Sequence, residues 1–341
     1  MTATAIARAV ANKTLSALEA TEAVLARIAL RDRALNAFTD VTAERARAKA
    51  RAIDADIAAG KPVGPLAGVP FAVKNLFDVQ GLATRAGSKI NRDLSPAARD
   101  ATLIERMEAA GAVLVGALNM GEYAYDFTGE NIHDGNSCNP HDPLRMTGGS
   151  SGGSGAAVGG RLVPIALGSD TNGSIRVPAS FCGIFGLKPT YGRLSRARSF
   201  PFVTSLDHLG PLARSVEDLA ISYDAMQGAD ADDAACTTRA VEPVTPQLTQ
   251  GIDGLRVAIA GGYFQQNLFP EAVEAIARVT KALNATEMIE VPEAARARAA
   301  AYVITTAEGA SLHLDRLRTR ANDFDPAVRD RLIAGAMLPA P

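Results

Sequence analysis

The stretch from Met146 to Thr190 constrains this chain more than any other. It opens as Met-Thr-Gly-Gly-Ser-Ser-Gly-Gly-Ser-Gly-Ala-Ala-Val and continues, from Gly168, as Gly-Ser-Asp-Thr-Asn-Gly-Ser-Ile-Arg-Val-Pro. Glycine reaches this density where backbone must turn tightly or let another group come close. Serine is the side chain placed repeatedly among those glycines, at Ser150, Ser151, Ser154 and Ser174. A flexible linker would not lead into an apolar strand and a second Gly-Ser turn. The pattern predicts an active-site floor, with backbone N–H groups exposed around hydroxyl nucleophiles.

The 341 residues suffice for one large or two smaller domains with an ample core. A net charge of -2 leaves no electrostatic footprint for nucleic acid or an anionic membrane. No run is long and apolar enough to span a bilayer, and the first residues have no signal-peptide pattern. Cys138, Cys182 and Cys236 are widely spaced and match no metal-ligand spacing, which favours reduced thiols and a cytoplasmic home.

Residues 4–60 read as helical throughout, rich in Ala, Leu, Glu and Arg, with Leu15, Leu18, Val24, Ile28 and Leu35 at helical spacing. They predict a helical layer over 1–60 that packs on a main domain over 61–341. Gly68-Val-Pro-Phe-Ala-Val-Lys-Asn then reads as an apolar strand that delivers Lys74 at its end. A lysine beside a core strand calls for a partner or a use. A helix over 102–110 and a strand over 112–118 suggest an α/β sheet. Residues 119–143 carry no periodicity but hold Glu122, Tyr123, Tyr125, Asp126, Asn131, His133 and His141. A long irregular segment of this kind predicts a substrate-pocket lining. Further strands are expected at 162–167, 181–187, 255–260 and 288–291, with helices at 216–226, 271–283, from Glu293 onward, and 325–336.

Several chemistries compete for the glycine run. A Walker loop needs a Lys followed by Ser or Thr, and no Lys lies between Gly155 and Arg161. The dinucleotide spacing fails at Val158, where the third Gly belongs. Gly148-Gly-Ser-Ser-Gly satisfies the Gly-x-Ser-x-Gly elbow of α/β hydrolases, but that elbow follows a strand. Residues 139–146, with Pro140 and Pro143, make a poor strand, and only His208 and His313 lie downstream as bases. The remaining option is a serine activated by lysine. Such a lysine must be buried, so that its pKa falls toward neutrality and a free amine is available. Lys74 meets that demand, two serines can relay the proton, and Asp170-Thr-Asn-Gly-Ser174 offers successive N–H groups to an oxyanion.

Three separated segments carry a family resemblance. They are Gly68-Val-Pro-Phe-Ala-Val-Lys, Gly148-Gly-Ser-Ser-Gly-Gly-Ser through Asp170-Thr-Asn-Gly-Ser-Ile-Arg-Val-Pro, and Ser205-Leu-Asp-His-Leu-Gly-Pro-Leu-Ala-Arg. Their order and content resemble the amidase signature family, with the motif region at 68–228. The resemblance implies an α/β fold, a mixed central sheet covered by helices on both faces. Family members continue beyond the point where this chain stops, so a sheet lacking its C-terminal part is expected. The resemblance further implies Ser174 as the acylated nucleophile, Ser150 as a bridging serine after a cis peptide at Gly149, and Lys74 as the base. It implies an oxyanion hole of N–H groups at Thr171, Asn172, Gly173 and Ser174, and no metal or organic cofactor. Asn172 stands where a glycine is commoner in the family.

Residues 119–131 and 307–316 resemble one branch in particular, the amidase subunits that act on 1-carboxybiuret with a small partner subunit. That branch implies ammonia release to give urea-1,3-dicarboxylate, and a homo-oligomer. The amidase subunit of glutamyl-tRNA(Gln) amidotransferase is the runner-up, with any tRNA contact on its partner. A shortened, inactive interaction remnant is the alternative from a different class. Tyr125, Asn131, Gly149 and Arg316 are candidate substrate contacts. Arg176 is expected to pair within the core, Cys182 and His208 to pack, and Ser151 and Ser154 to hold the loop.

Overall fold

The computed structural model describes residues 1–339. Two hydroxyl caps start the chain. Thr2 accepts the Ala5 N–H at the head of α1 (Ala3–Ala11), and Ser16 forms a reciprocal capping box with Glu19 at the head of α2 (Ala17–Leu35). Asn36, at a left-handed φ of 48°, turns the chain into β1 (Phe38–Val41), which leads to α3 (Ala43–Ala58). β1 corrects the expectation of an all-helical 4–60. Its four residues are flanked by strongly helical sequence on both sides, and that composition hides them.

The next elements build the sheet. They are β2 (Pro70–Lys74), α4 (Thr102–Ala109), β3 (Val113–Leu118), α5 (Gly152–Gly159), β4 (Ile165–Asp170), α6 (Arg176–Phe181), β5 (Phe185–Gly186), β6 (His208–Ala213) and α7 (Val216–Met226). Strand order is β1-β3-β2-β4-β6-β5. β2 runs parallel to β3 and β4, whereas β1, β6 and β5 pair antiparallel, so the sheet is mixed. α3 and α4 pack on β3, α5 on β2, β4 and β6, and α7 on β6. This is the expected α/β architecture, a mixed sheet covered by helices.

β2, β3 and β4 are buried along their full length, as strands covered on both faces must be. Their shared parallel direction brings three carboxyl ends, at Lys74, Leu118 and Asp170, to one side. Loops leaving such ends are where α/β sheets place ligands.

Three local expectations shift. The strand expected at 162–167 begins at Ile165, after Pro164, which cannot donate to a ladder. The segment expected as strand at 181–187 is the end of α6, then a turn at Gly183 (φ 65°), then the two residues of β5. β6 escaped sequence reading because Gly210 and Pro211, both depleted in strands, sit in its middle. Beyond α7 the chain forms β7 (Ala258–Ala260), α8 (Pro270–Ala282) and β8 (Glu287–Ile289), then α9 (Ala294–Arg320) and α10 (Pro326–Ala336). β7 and β8 pair parallel in a separate two-stranded sheet. α9 and α10 pack on each other, and together they wall the site described next.

Candidate active site

Lys74 ends β2 with its side chain fully buried. Its Nζ donates to Ser150 Oγ at 2.6 Å and to Ser169 Oγ at 2.8 Å. Burial drives its pKa down from 10.5 to about 7, against the opposing pull of the Asp126, Asp207 and Asp170 charges. A buried lysine at neutral pH is therefore partly free amine. Ser169, one strand over on β4, was missed by sequence reading. The parallel register that pairs Val73 with Leu167 brings Ser169 to the strand end beside Lys74, and neither segment alone carries that register.

Ser150 follows a cis Gly149–Ser150 peptide bond, as the family resemblance implied. Ser151 and Ser154 hold the loop. The Ser151 hydroxyl donates to the Ser169 carbonyl and accepts the Ser169 N–H, and Ser154 donates to the Leu167 carbonyl. Glycine is required in the run for packing. A Cβ at Gly153 would lie 2.5 Å from the Asn119 carbonyl oxygen and 2.6 Å from that of Ala37.

Ser174 sits in the turn between β4 and α6, buried and lining a cavity of about 190 Å³. The turn is organised by Asp170, which accepts the Gly173, Ile175 and Arg176 N–H groups and a two-pronged contact from the Arg176 guanidinium. Burial raises the Asp170 pKa, but the Arg176 hydrogen bond and charge outweigh it and hold the carboxyl below its ordinary value. Arg176 itself is about half exposed, so the pair has one buried and one solvated end instead of lying wholly in the core. Gly173, at φ 136°, needs the glycine conformation, and its N–H is already committed to Asp170. This departs from the expected four-amide hole. The N–H groups of Thr171, Asn172 and Ser174 have no protein acceptor among the described residues.

The expected substrate contacts divide. Tyr125 lines the cavity, and its buried hydroxyl has no partner among the described residues. Gly149 is not among the residues lining the cavity and packs against Asp126 and Gly129. Asn131 does not reach it. Its amide donates to the Gly87 and Met120 carbonyls and accepts the His133 and Asp134 N–H groups, so its polar capacity is spent on backbone. Arg316 also lies elsewhere, with its guanidinium over the rings of Tyr123 and Phe200. The arginines that line the cavity are Arg298 on α9 and Arg331 on α10, with Tyr302 and Thr305 beside them. Nothing in the periodicity of those Arg-rich helices distinguishes the two from their neighbours.

The candidate histidine bases fall away. His208 Nδ1–H donates to the Leu206 carbonyl at 2.6 Å, and burial lowers its pKa. His313 is buried between Tyr123 and Phe324, with burial pushing its pKa down to about 3. Neither lines the Ser174 cavity. Cys182 is buried, with its thiol toward the Thr147 carbonyl.

Residues 19–338 match the Amidase family. The chain belongs to the amidase signature family. It is 55% identical to AtzE of Pseudomonas sp. (strain ADP), a component of 1-carboxybiuret hydrolase, over 98% of this chain and 73% of that protein. It is 46% identical to a glutamyl-tRNA(Gln) amidotransferase component of Azotobacter vinelandii, over 91% of this chain and 65% of that protein. Its fold superposes with a TM-score of 0.98 on a solved structure of a vestigial protein complex, which reveals the evolutionary origins of an s-triazine catabolic enzyme. Identity there is 55%, over 99% of this chain and 74% of that one. The protein is an amidase-signature hydrolase of amide C–N bonds. No described helix is long and apolar enough to cross a membrane.

Proposed function

We propose that Ser174, Ser150 and Lys74 form a proton-relay triad that hydrolyses a small linear amide through an acyl-enzyme. The neutral Lys74 amine takes the Ser150 proton while Ser150 takes that of Ser174. The Ser174 oxygen then attacks the amide carbonyl. Charge developing on the carbonyl oxygen meets the open N–H groups of Thr171, Asn172 and Ser174, where preorganised donors are most effective. The proton held on Lys74 returns through Ser150 to the leaving nitrogen, and ammonia departs. Water, deprotonated by the same relay, then cleaves the ester and frees Ser174. The observation that carries this reading is the 2.6 Å contact between Ser150 and a fully buried lysine whose pKa sits near 7.

The proposed substrate is 1-carboxybiuret, giving ammonia and urea-1,3-dicarboxylate, within a homo-oligomer that also holds a small partner subunit. Its support is the 55% identity to a protein named as a component of that hydrolase. Glutamine hydrolysis for tRNA amidation is the second reading, favoured by the 46% identity to a transamidase component. Ammonia release measured with 1-carboxybiuret and with glutamine separates them. Release from the first alone supports the proposal, and release from glutamine alone replaces it with the second. The triad is tested by mapping a fluorophosphonate adduct. Labelling is expected at Ser174, lost in Lys74→Ala and retained in His208→Ala; an adduct on Ser150, or dependence on His208, would overturn it.

A further inference from the structure

The end of the β4–β6 ladder sets two side chains opposite one another. Asp170 pairs with His208 in that antiparallel register, so the next positions, Thr171 and Asp207, meet just beyond it. The Thr171 hydroxyl donates to Asp207 Oδ1 at 2.6 Å. Asp207 Oδ2 accepts the N–H groups of Phe202 at 2.8 Å and Val203 at 2.9 Å. One carboxylate thus joins the turn that leads to Ser174 to the segment that leads into β6.

Both ends of this clamp reach the Ser174 cavity, which Thr171 and Phe202 line. Thr171 brings to it an N–H that has no protein acceptor among the described residues. The Phe202 ring packs on that of Tyr125, with 4.8 Å between centres. On another side a Cβ at Gly309 would come within 3.0 Å of Phe202 Cε2. Glycine weakens the middle of a helix, and in α9 it makes room for this ring. The ring is therefore confined by its neighbours while Asp207 fixes its backbone.

Asp207 also bears on the relay through its charge. Together with Ser169, the second acceptor of Lys74, it lines a separate cavity of about 210 Å³. The charged groups that act on the lysine are the carboxylates of Asp126, Asp207 and Asp170, and each favours the ammonium. Asp170 is paired with Arg176, whereas Asp207 has no ion pair among the described residues. Arg196, whose charge reaches Asp207, is paired with Asp233. Burial raises the Asp207 pKa, and its three hydrogen bonds oppose that rise. Donors on both oxygens favour the carboxylate form.

We propose that Asp207 is a positioning residue of this site: it fixes the Thr171 N–H against the Phe202 wall and supplies an unpaired negative charge to the surroundings of Lys74. The inference rests on the amidase reading and adds a group that contacts neither the nucleophile nor the relay.

The test follows the rate of fluorophosphonate labelling at Ser174 in the full chain, from about pH 5 to 9. Asp207→Asn removes the charge but can keep the geometry. Its amide oxygen still accepts both backbone N–H groups, and its NH2 donates to the Thr171 oxygen. The acid limb is expected to fall by about half a pH unit or more, because Lys74 loses a charge that favoured its ammonium. Thr171→Val keeps the charge and breaks the clamp. It should label roughly tenfold or more slowly, with the acid limb in place. Thr171→Ser, which retains the hydroxyl, should recover most of that loss. An acid limb that stays put in Asp207→Asn, or full-rate labelling of Thr171→Val, would overturn the inference. Should Asp207→Asn fail to fold, the Thr171 pair decides: valine and serine variants that label alike would also overturn it. Failure of the amidase reading looks different. The unaltered protein itself then takes no adduct at Ser174, and the inference falls with it.

Discussion

Asn172 Nδ2 donates a 2.8 Å hydrogen bond to Thr305 Oγ1, joining the turn before Ser174 to the middle of α9. The two residues are 133 positions apart in sequence. Thr305 is almost fully buried, Asn172 is half-buried, and both line the Ser174 cavity. α9 also carries Arg298 and Tyr302 into the cavity, and this contact ties the turn with its open amides to the opposite wall. The departure from glycine at position 172 thus has a structural use that its motif alone did not reveal.

A double-mutant cycle with Asn172→Gly and Thr305→Val should give a coupling energy of about 0.5–1.5 kcal/mol in chemical unfolding. Each single variant should also label more slowly at Ser174. A coupling indistinguishable from zero would mean that the contact does not join the two walls.

Activity should follow the protonation of Lys74. The free amine is the working form, and its pKa lies at about 7. Below that value the lysine is protonated, and kcat/KM should fall by about tenfold per pH unit. Above it the rate should level off, because further loss of protons adds no more free amine. A pH–rate profile from about 5 to 9 checks this. A rate still rising about tenfold per pH unit at pH 9, as a lysine titrating in its ordinary range near 10 demands, would show that burial does not tune the group.

Gly149 is confined more tightly than its place in a flexible-looking run suggests. A Cβ there would fall 2.1 Å from Asp126 Oδ2 and 2.7 Å from the Gly129 nitrogen. Asp126 cannot yield freely, because it accepts the Thr128 and Gly129 N–H groups and the Thr128 hydroxyl. Gly149→Ala should therefore cost about 1–3 kcal/mol of stability and displace Ser150 next to it. Thermal unfolding and the rate of Ser174 labelling are both expected to drop; a variant with unaltered values of both would contradict the packing described.

How much of this was legible in the sequence depends on the distance over which each feature is set. Lys74, Ser150 and Ser174 stand out because each lies in a local motif, an apolar run or a Gly-Ser turn, that is read within a few residues. The helices at 102–109 and 216–226 were legible for the same local reason, an apolar stripe with a clear stop. Arg298 and Arg331 were not, because a cavity-facing arginine and a solvent-facing one have the same periodicity on a helix. Arg316 is the arginine that the sequence reading named, and the structure spends it on two aromatic rings. Asn131 misled in the other direction. A buried amide that satisfies four backbone groups has the same letters around it as one that binds substrate. β1 and β6 failed because their neighbours' composition, or their own Gly and Pro, outweighed a short strand signal.

Ser169, which sequence reading missed, makes the sharpest test of the relay. Its hydroxyl accepts from Lys74 Nζ at 2.8 Å while Ser150 accepts from the same nitrogen at 2.6 Å. Two acceptors fix the direction of the amine and also favour its charged form. In Ser169→Ala the ammonium loses one of them, so the Lys74 pKa should fall and the acid limb of the pH–rate profile should move to lower pH. The amine should also lose its aim at Ser150, lowering kcat by roughly one to two orders of magnitude, the scale of a misplaced catalytic group. Ser169→Thr, which keeps the hydroxyl, should restore both the rate and the position of the limb. A residue that merely filled space would change the melting temperature and leave the acid limb where it was, and that outcome would remove Ser169 from the relay.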